Sequence, residues 1–357
     1  MLYKQVDTDK ARSFCEEVFC AYGFSADESR IITDVLLRAD LYGIESHGMQ
    51  RLVRYHDEIT SGQVDVHAKT ETVHETGISA CIDANRAMGQ LAGVEAMKLA
   101  IKKAKTSGCG MITVRNSNHY GIAGYYTNMA AAEDLIGVCM TNTEAICVPT
   151  FGSEAMTGTN AIALAMPASP FTFSYDASTT VVPRGTLEVF KKNEQPLPEN
   201  WALDADGKPC TDAATVIDNI IAKAGGGIAP LGGLGMLNGG HKGYGLSVIV
   251  DIFTAVISGG MTSNHVNRIP GHTGICHYFM ALDYGIFGDK PAIKNNLSKF
   301  LQELRDSKKA EGHARIYTHG EKEAETMSQR INGQIPVNEK TLGEIKVIAK
   351  KLGIKEI

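Results

Sequence analysis

The sequence lacks the features that mark several classes of protein. No stretch reaches the roughly 18 consecutive apolar residues of a membrane-spanning helix, and the best candidate, residues 246–257, is interrupted by Ser247, Asp251 and Thr254. Its 35 lysines and arginines stand against 40 aspartates and glutamates, so the formal charge of -5 leaves no basic excess for a nucleic-acid backbone. We therefore expect neither a membrane nor nucleic acid as a partner.

Cysteine usage and the first residues favour the cytoplasm. The eight cysteines include no C-x-x-C pair and lie mostly in apolar runs, where free cysteine packs as a small hydrophobic residue. Residues 1–12 mix acids and bases without an apolar stretch, which is typical of neither a secretory signal nor a transit peptide. We expect reduced cysteines and a cytoplasmic protein.

Hydrophobic periodicity predicts helices at both ends of the chain and a mixed α/β region between them. Helical patterns occur at residues 8–22, 25–41, 49–59, 88–106, 122–133, 244–257, 295–306, 321–331 and 338–351. Strand patterns occur as a hairpin around Gly77 and at residues 111–114, 136–140, 161–166, 171–175 and 275–282. We expect an α/β domain at residues 73–289 and one helical domain formed by residues 1–72 and 290–357.

Fingerprints of common cofactor and metal sites are missing. The 37 glycines form neither a G-x-G-x-x-G nor a G-x-x-x-x-G-K-[ST] motif, so no ordinary Rossmann or P-loop phosphate site is predicted. A glycine-rich loop of another topology can still present N–H groups to a phosphate. The eleven histidines include no H-E-x-x-H and no His/Cys set with zinc spacing, so we expect no metal site.

Four histidines lie beside glycine in a loop or at a helix start. The motifs are Ser46-His47-Gly48, Asn118-His119-Tyr120-Gly121, Gly240-His241-Lys242-Gly243 and Gly271-His272. A glycine neighbour leaves space for a ligand to approach an imidazole, whereas a single such histidine more often caps or lines a turn. Several motifs of this kind in one chain favour a functional site, and we expect Ser46 to cap the helix that follows it.

These motifs resemble those of the malate/L-lactate dehydrogenase family, a non-Rossmann type that also includes ureidoglycolate, sulfolactate and diketogulonate enzymes and an imine reductase. The resemblance covers about residues 3–350. The motifs that carry it are Ser46-His47-Gly48 with Arg51, residues 116–121, Gly158-Thr159-Asn160, residues 176–179, and residues 240–245 with Asp251. It implies a homodimer with a large mixed β-sheet flanked by helices, a nicotinamide-binding fold, and a helical domain built from both chain ends.

The resemblance also implies an activity, the interconversion of a small 2-hydroxy acid and its 2-oxo acid with NAD or NADP. Such chemistry needs a cation for the carboxylate, a proton donor and acceptor, and a cradle for the nicotinamide. His47, with Ser46 as its hydrogen-bonding partner, and His119 match positions to which different family members assign the proton transfer. Either imidazole can exchange a proton near neutral pH. Of the two, we favour His47 as the acid/base, with His119 orienting the substrate.

Substrate and cofactor residues carry over from the resemblance as well. Arg51 matches a carboxylate-binding position, and its planar guanidinium suits a bidentate contact from the helix that we expect to carry His47 too. The implied substrate-binding residues also include Asn142 and Thr159. The implied cofactor contacts are His119, Tyr120, Gly121, Asp176, Ala177, Ser178, Thr179, His241, Lys242, Gly320, Glu321 and Lys322. The chain departs from the usual pattern at Asn160-Ala161, where Asn-Pro is common, and at His319, where proline is common.

We expect malate and oxaloacetate as the substrate pair. The site motifs supply Arg51, His47 and His119 as polar donors but no apolar run that would enclose the methyl group of lactate. The alternatives are an oxidoreductase for lactate, ureidoglycolate or a cyclic imine on the same scaffold, and a catalytically inactive nucleotide-binding protein. Retention of both histidines and Arg51 argues against the inactive form. The sequence does not separate NAD from NADP, because no Rossmann strand with an acidic ribose-binding residue is present.

Overall fold

A seven-stranded β-sheet forms the centre of the protein, whose computed structural model describes residues 3–357. The strands are β1 (Tyr3–Asp7), β2 (Glu71–Glu75), β3 (Ser79–Asp83), β4 (Cys109–Ser117), β5 (Ile136–Thr141), β6 (Ala161–Met166), β7 (Phe173–Ala177), β8 (Ala202–Leu203), β9 (Gly227–Ile228), β10 (Ile275–Leu282) and β11 (Gln334–Asn338). The helices are α1 (Thr8–Ala21), α2 (Ala26–Leu41), α3 (Arg51–Thr60), α4 (Gly89–Ser107), α5 (Ala123–Ala132), α6 (Arg184–Lys192), α7 (Ala213–Ala222), α8 (Gly240–Asp251), α9 (Lys290–Asp306), α10 (Glu321–Arg330) and α11 (Glu339–Leu352).

The large sheet is mixed, as expected. Its strand order is β2-β3-β4-β10-β5-β6-β7; β3 and β4 pair in parallel and the other neighbours are antiparallel. Helices α4 and α5 pack against it in one apolar core. The buried alanines Ala92, Ala96, Ala100 and Ala104 recur at one-turn spacing along α4, so the helix lies close to the strands. The predicted α/β fold with helices flanking a mixed sheet is confirmed.

A second apolar core joins the two ends of the chain. Side chains of α1, α2 and α3 pack there with Ile335, Val337 and Ile345 from β11 and α11. Strands β1 and β11 also form an antiparallel pair, which the sequence analysis missed. The predicted helical domain thus has both chain ends in it, while its boundaries at residues 72/73 and 289/290 stay a prediction.

A small lobe replaces the loop that the sequence suggested around residues 196–209. Helices α6 and α7 and the short strands β8 and β9 enclose a third apolar core around Val216 and Ile228. Asp212 caps α7 by accepting from the N–H groups of Ala214 and Thr215. Periodicity could not predict β8 and β9, because a two-residue strand contains no repeat.

The helix before the last strand of the sheet begins earlier than predicted. Helix α8 starts at Gly240 rather than at residue 244, and it continues beyond Asp251 as a π-helical turn, Ile252–Val256. The sequence did not predict this earlier start, because the first turn contains glycines and glycine is a poor helix former. Among residues 3–357, no helix is both long and apolar enough to cross a membrane. All eight cysteines are free, but the expectation that they lie in the core holds for only four of them, and Cys20 is exposed.

Candidate active site

A tight turn, Glu45–His47, brings His47 to the start of α3. The N–H of Met49 donates to Oδ2 of Asp40 at 2.8 Å, and a Cβ on Gly48 would collide with the same carboxylate. Burial raises the pKa of Asp40 to about 7, and the hydrogen bond from Met49 works against this rise. Glycine is therefore required here so that the turn can pack against Asp40.

Ser46 does not cap α3, so that prediction is wrong. It lies inside the turn Glu45–His47, and the residue before α3, Gln50, makes no side-chain cap bond. The hydroxyl of Ser46 instead lies 2.9 Å from Nδ1 of His47. His47 and Arg51 consequently stand on consecutive elements rather than on one helix, and Ser46 holds the imidazole of His47 in place.

The imidazoles of His47 and His119 stack on each other. Their ring centroids are 5.6 Å apart and their planes are inclined by 26°. His119 follows β4, and its Nδ1 lies 2.9 Å from the hydroxyl of Tyr55, a buried residue of α3. The structure thus brings the two predicted catalytic histidines together. A hydroxyl engages Nδ1 of each ring, which leaves Nε2 of each for a ligand.

Both histidines have a pKa below the ordinary value near 6.5. Burial is the main cause at His47, whose pKa falls to about 3, and the charges of Arg51 and Arg54 lower it further. Burial also lowers the pKa of His119, with further lowering by Arg54 and His47. Both imidazoles are therefore neutral at neutral pH, and an anion that offsets the two arginines raises their pKa values.

Two arginines of α3 make this place positively charged. Arg51 is half-buried, and its Nε has no hydrogen-bond partner in the described part of the chain. Burial, followed by the charge of Arg54, lowers the pKa of Arg51. Arg54 donates from Nε to Oε1 of the buried Glu58 at 2.6 Å. The arrangement suits an acidic ligand lying next to the two imidazoles.

Asn142 lies behind the site rather than on its surface. Its amide donates to Oδ1 of Asp251 at 3.1 Å and to the carbonyl of Met261 at 2.8 Å, and its carbonyl accepts from the N–H of Cys276 at 2.8 Å. The side chain is fully buried, so the expectation that Asn142 binds substrate is corrected: it links the end of α8 at Asp251 to the loop at Met261. Thr159 is half-buried at the edge of the same polar network.

Asp176, at the end of β7, faces the N-terminus of α5. Its Oδ2 accepts from the N–H of Gly124 at 2.7 Å. The carboxylate is accessible to solvent but lies in a recess, where loss of hydration raises its pKa to about 6 against the lowering effect of the α5 N–H groups. Ala177 and Ser178 beside it are half-buried, whereas Thr179 is buried. Asp176 is thus the polar group of this segment that a ligand can reach most directly.

The side chain of Tyr120 belongs to the core rather than to a cofactor cleft. Its ring lies between those of His277 and Tyr126, with centroid distances of 4.3 Å and 4.7 Å, and its hydroxyl contacts Sγ of Cys139 at 3.2 Å. Both ring faces are covered, so the expected cofactor contact of this side chain is corrected. Gly121 follows with a φ of 84°, which favours glycine, and leads the chain into α5.

The first turn of α8 carries a buried polar atom that has no partner among residues 3–357. The helix starts at Gly240, after Gly239 with a φ of 88°, and no side chain caps it. Nδ1 of His241 is buried and has no hydrogen-bond partner within residues 3–357, and Lys242 is exposed beside it. Free N–H groups at a helix N-terminus together with a lysine suit a phosphate. A ligand that binds beside this turn would give the buried Nδ1 of His241 a partner.

Of the expected C-terminal cofactor residues, Glu321 is buried and Lys322 is exposed. Gly320, with a φ of 98°, lies against β7. Glu321 is fully buried and accepts from Arg305 at 2.9 Å and from Arg315 at 2.8 Å. Burial raises its pKa, but the hydrogen bonds from Thr318 and the arginines outweigh this and lower it to about 2. The cofactor contact expected of Glu321 is therefore corrected to a structural ion pair, and Lys322 lies over a tyrosine ring at the surface.

The sequence analysis missed Arg54, Tyr55, Glu58 and His277. The first three follow Arg51 at helical spacing, so a polar stripe on α3 was the signal that could have found them. His277 is fully buried on β10, with Nδ1 2.8 Å from Oγ1 of Thr141. It lies in an apolar strand pattern and gave no comparable signal.

Comparisons with known proteins cover nearly the whole chain. Residues 6–346 match the family described as malate/L-lactate dehydrogenase. The malate dehydrogenase of Pyrococcus abyssi is 42% identical over 99% of this chain and 96% of its own length. The crystal structure of malate dehydrogenase from Entamoeba histolytica superposes with a TM-score of 0.95 at 34% identity, covering 99% of each chain. Sulfolactate dehydrogenase from Methanocaldococcus jannaschii gives a TM-score of 0.88 at 31% identity, covering 99% and 98%.

Proposed function

Since this chain belongs to the malate/L-lactate dehydrogenase family and is a 2-hydroxy acid dehydrogenase, we propose that it interconverts malate and oxaloacetate with NAD or NADP. The observation that carries the proposal is the stacked pair of His47 and His119 together with Arg51, whose Nε has no hydrogen-bond partner among residues 3–357. A further support is the identity of 42% and 43% to two relatives named malate dehydrogenase.

The imidazole pair supplies proton transfer in this proposal. A neutral imidazole accepts the proton of the 2-hydroxyl group through Nε2 during oxidation, and the imidazolium returns it during reduction. His47 has this role and His119 orients the substrate oxygen. Arg51 binds the carboxylate next to the reacting carbon. That carboxylate partly offsets the arginine charges, so the pKa of the imidazoles rises when substrate binds.

The residues at α8 and β7 fit a dinucleotide. The first turn of α8 and Lys242 would hold a phosphate, and the unpartnered Nδ1 of His241 would gain a hydrogen bond. The carboxylate of Asp176 would accept from a ribose hydroxyl. A nicotinamide, when bound, supplies or takes up the hydride.

We also propose that the protein is a homodimer, as the family resemblance implies. The helix α8 and its π-helical turn expose an apolar face that includes Leu246, Ile249, Ile252, Val256 and Ile257. A face of this kind on a globular protein favours contact with a second copy. Sedimentation should give twice the mass of one chain. Val256→Glu should shift the equilibrium from dimer to monomer. Val347→Glu, at a similarly exposed position on α11, is the control and should leave the dimer intact.

The activity is tested by adding 2-oxo acids to the protein with NADH or NADPH. We expect oxaloacetate to be reduced with a higher kcat/KM than pyruvate. Preferential reduction of pyruvate or of a cyclic imine, or preferential oxidation of ureidoglycolate with NAD or NADP, would replace the malate assignment by that alternative. Calorimetric titration with the four nucleotides separates an inactive binding protein, which binds a nucleotide without turnover, from a protein without a nicotinamide site.

A further inference from the structure

Helix α3 carries a second arginine, Arg54, one turn after Arg51. Arg54 uses Nε for Oε1 of Glu58, and its guanidinium makes no other hydrogen bond or ion pair within the range that the structure describes. Glu58 lies one turn further along α3 and is buried, so it holds the guanidinium by the edge that carries Nε. The two terminal NH₂ groups remain available to a carboxylate.

Arg54 lies at the same site as Arg51 and the imidazole pair. The side chains of two arginines three positions apart on a helix project from the same face and are neighbours there. Arg51 is the stronger of the two charges acting on His47, whereas Arg54 is the stronger one acting on His119. Tyr55, next to Arg54 in the chain, contacts His119 directly. Both guanidinium groups therefore act on the stacked imidazole pair from the same helix, α3.

We infer that Arg54 binds the second carboxylate of a dicarboxylic substrate while Arg51 binds the carboxylate next to the reacting carbon. The inference rests on the proposed function and names the residue that selects malate over lactate. Oxaloacetate supplies a carboxylate for each arginine, whereas pyruvate leaves the terminal NH₂ groups of Arg54 without an acceptor. Glu58 is a positioning residue, because it contacts Arg54 through Nε and leaves the end of the guanidinium that carries both NH₂ groups to the ligand.

The test compares kcat/KM for oxaloacetate with kcat/KM for pyruvate in the wild type and in Arg54→Gln. We expect the ratio of the two values to fall about 100-fold, because a site built to bind a polar group loses its preference when the partner is removed. Arg54→Lys keeps the charge without the planar fork and should recover part of the ratio. The matched control is Arg38→Gln, a half-buried arginine of α2 paired with Asp34, which should leave the ratio unchanged.

An equal loss for both substrates would overturn the inference, because Arg54 would then act only through the histidines or the fold. If Arg54→Gln leaves Glu58 as an unpaired buried charge and does not fold, the double variant Arg54→Gln with Glu58→Gln removes both charges, and the same ratio is measured. A wild type that reduces neither acid contradicts the proposed function itself. A wild type that reduces both, with a ratio that Arg54→Gln does not change, contradicts only the inference.

Discussion

The hydroxyl of Tyr55 lies 2.9 Å from Nδ1 of His119. Burial raises the pKa of Tyr55, so the phenol stays protonated across the physiological range. This contact orients the His119 ring and occupies Nδ1, so that Nε2 is the nitrogen left for the proposed substrate. Ser46 has the same relationship to His47. Each imidazole is therefore oriented by its own hydroxyl.

Tyr55→Phe should lower kcat about tenfold. One hydrogen bond of about 1.4 kcal/mol is lost, which corresponds to a factor of ten in rate when it orients a reacting group. The matched control is Tyr284→Phe, another buried tyrosine, whose hydroxyl contacts Asp134. If both variants keep the wild-type kcat and its pH profile, Tyr55 does not orient His119 for catalysis.

Replacement of either site histidine should reduce activity strongly. Loss of a general acid or base costs about 100- to 10,000-fold in rate. We therefore expect His47→Asn and His119→Asn each to lower kcat/KM for oxaloacetate by a factor in this range. The larger loss identifies the acid/base, for which we expect His47. His74→Asn, on the exposed strand β2, is the control. A site variant within threefold of the wild type has no role in proton transfer.

The buried His277 should make the protein less stable in acid. Burial lowers its pKa to about 3 in the folded protein, whereas the unfolded chain titrates near 6.5. Below pH 6.5 the unfolded state binds more protons, so stability falls with pH until about pH 3. His277→Gln should reduce the slope of the unfolding free energy between pH 6 and 4 by about 1.4 kcal/mol per pH unit. Urea unfolding of the wild type and of His277→Gln at several pH values measures this slope. The same slope in both proteins would contradict the account.

Glu321 should matter for stability and not for the cofactor. Glu321→Gln leaves Arg305 without its buried carboxylate, and we expect a loss of about 3 kcal/mol, the lower end of the range for a broken buried pair, because Arg315 is partly exposed. Glu339→Gln, in an exposed pair with Lys4, is the control and should cost little. A variant of Glu321 with normal stability but weakened nucleotide binding would restore the cofactor role.

The fold could be predicted where a pattern repeats within one element. The stripe Ala11, Phe14, Cys15, Val18 and Phe19 predicted α1, and the structure buries all five side chains. The pair Tyr3↔Asn338 could not be predicted in this way, because β1 and β11 come from opposite ends of the chain and each is only five residues long. Their pairing is decided by the packing of the helices around them.

The site could be predicted as far as local motifs and the family resemblance reach. Both drew attention to His47 and His119, and the structure stacks the two rings. They did not distinguish a side chain that faces the cleft from one that faces the core. Asn142 donates to Asp251 and the ring of Tyr120 stacks on His277, so both side chains point into the core. These contacts depend on tertiary packing, which cannot be predicted from a single sequence.

The central claim is that the protein transfers a hydride between a nicotinamide and the 2-position of a small acid. The direct measurement is reduction of oxaloacetate with NADH or NADPH that carries deuterium at the transferable position, followed by mass spectrometry of the product. The account predicts malate with one deuterium bonded to the carbon that bears the hydroxyl group. Absence of labelled malate with both nucleotides, under conditions where the folded protein and intact oxaloacetate are present, would contradict it.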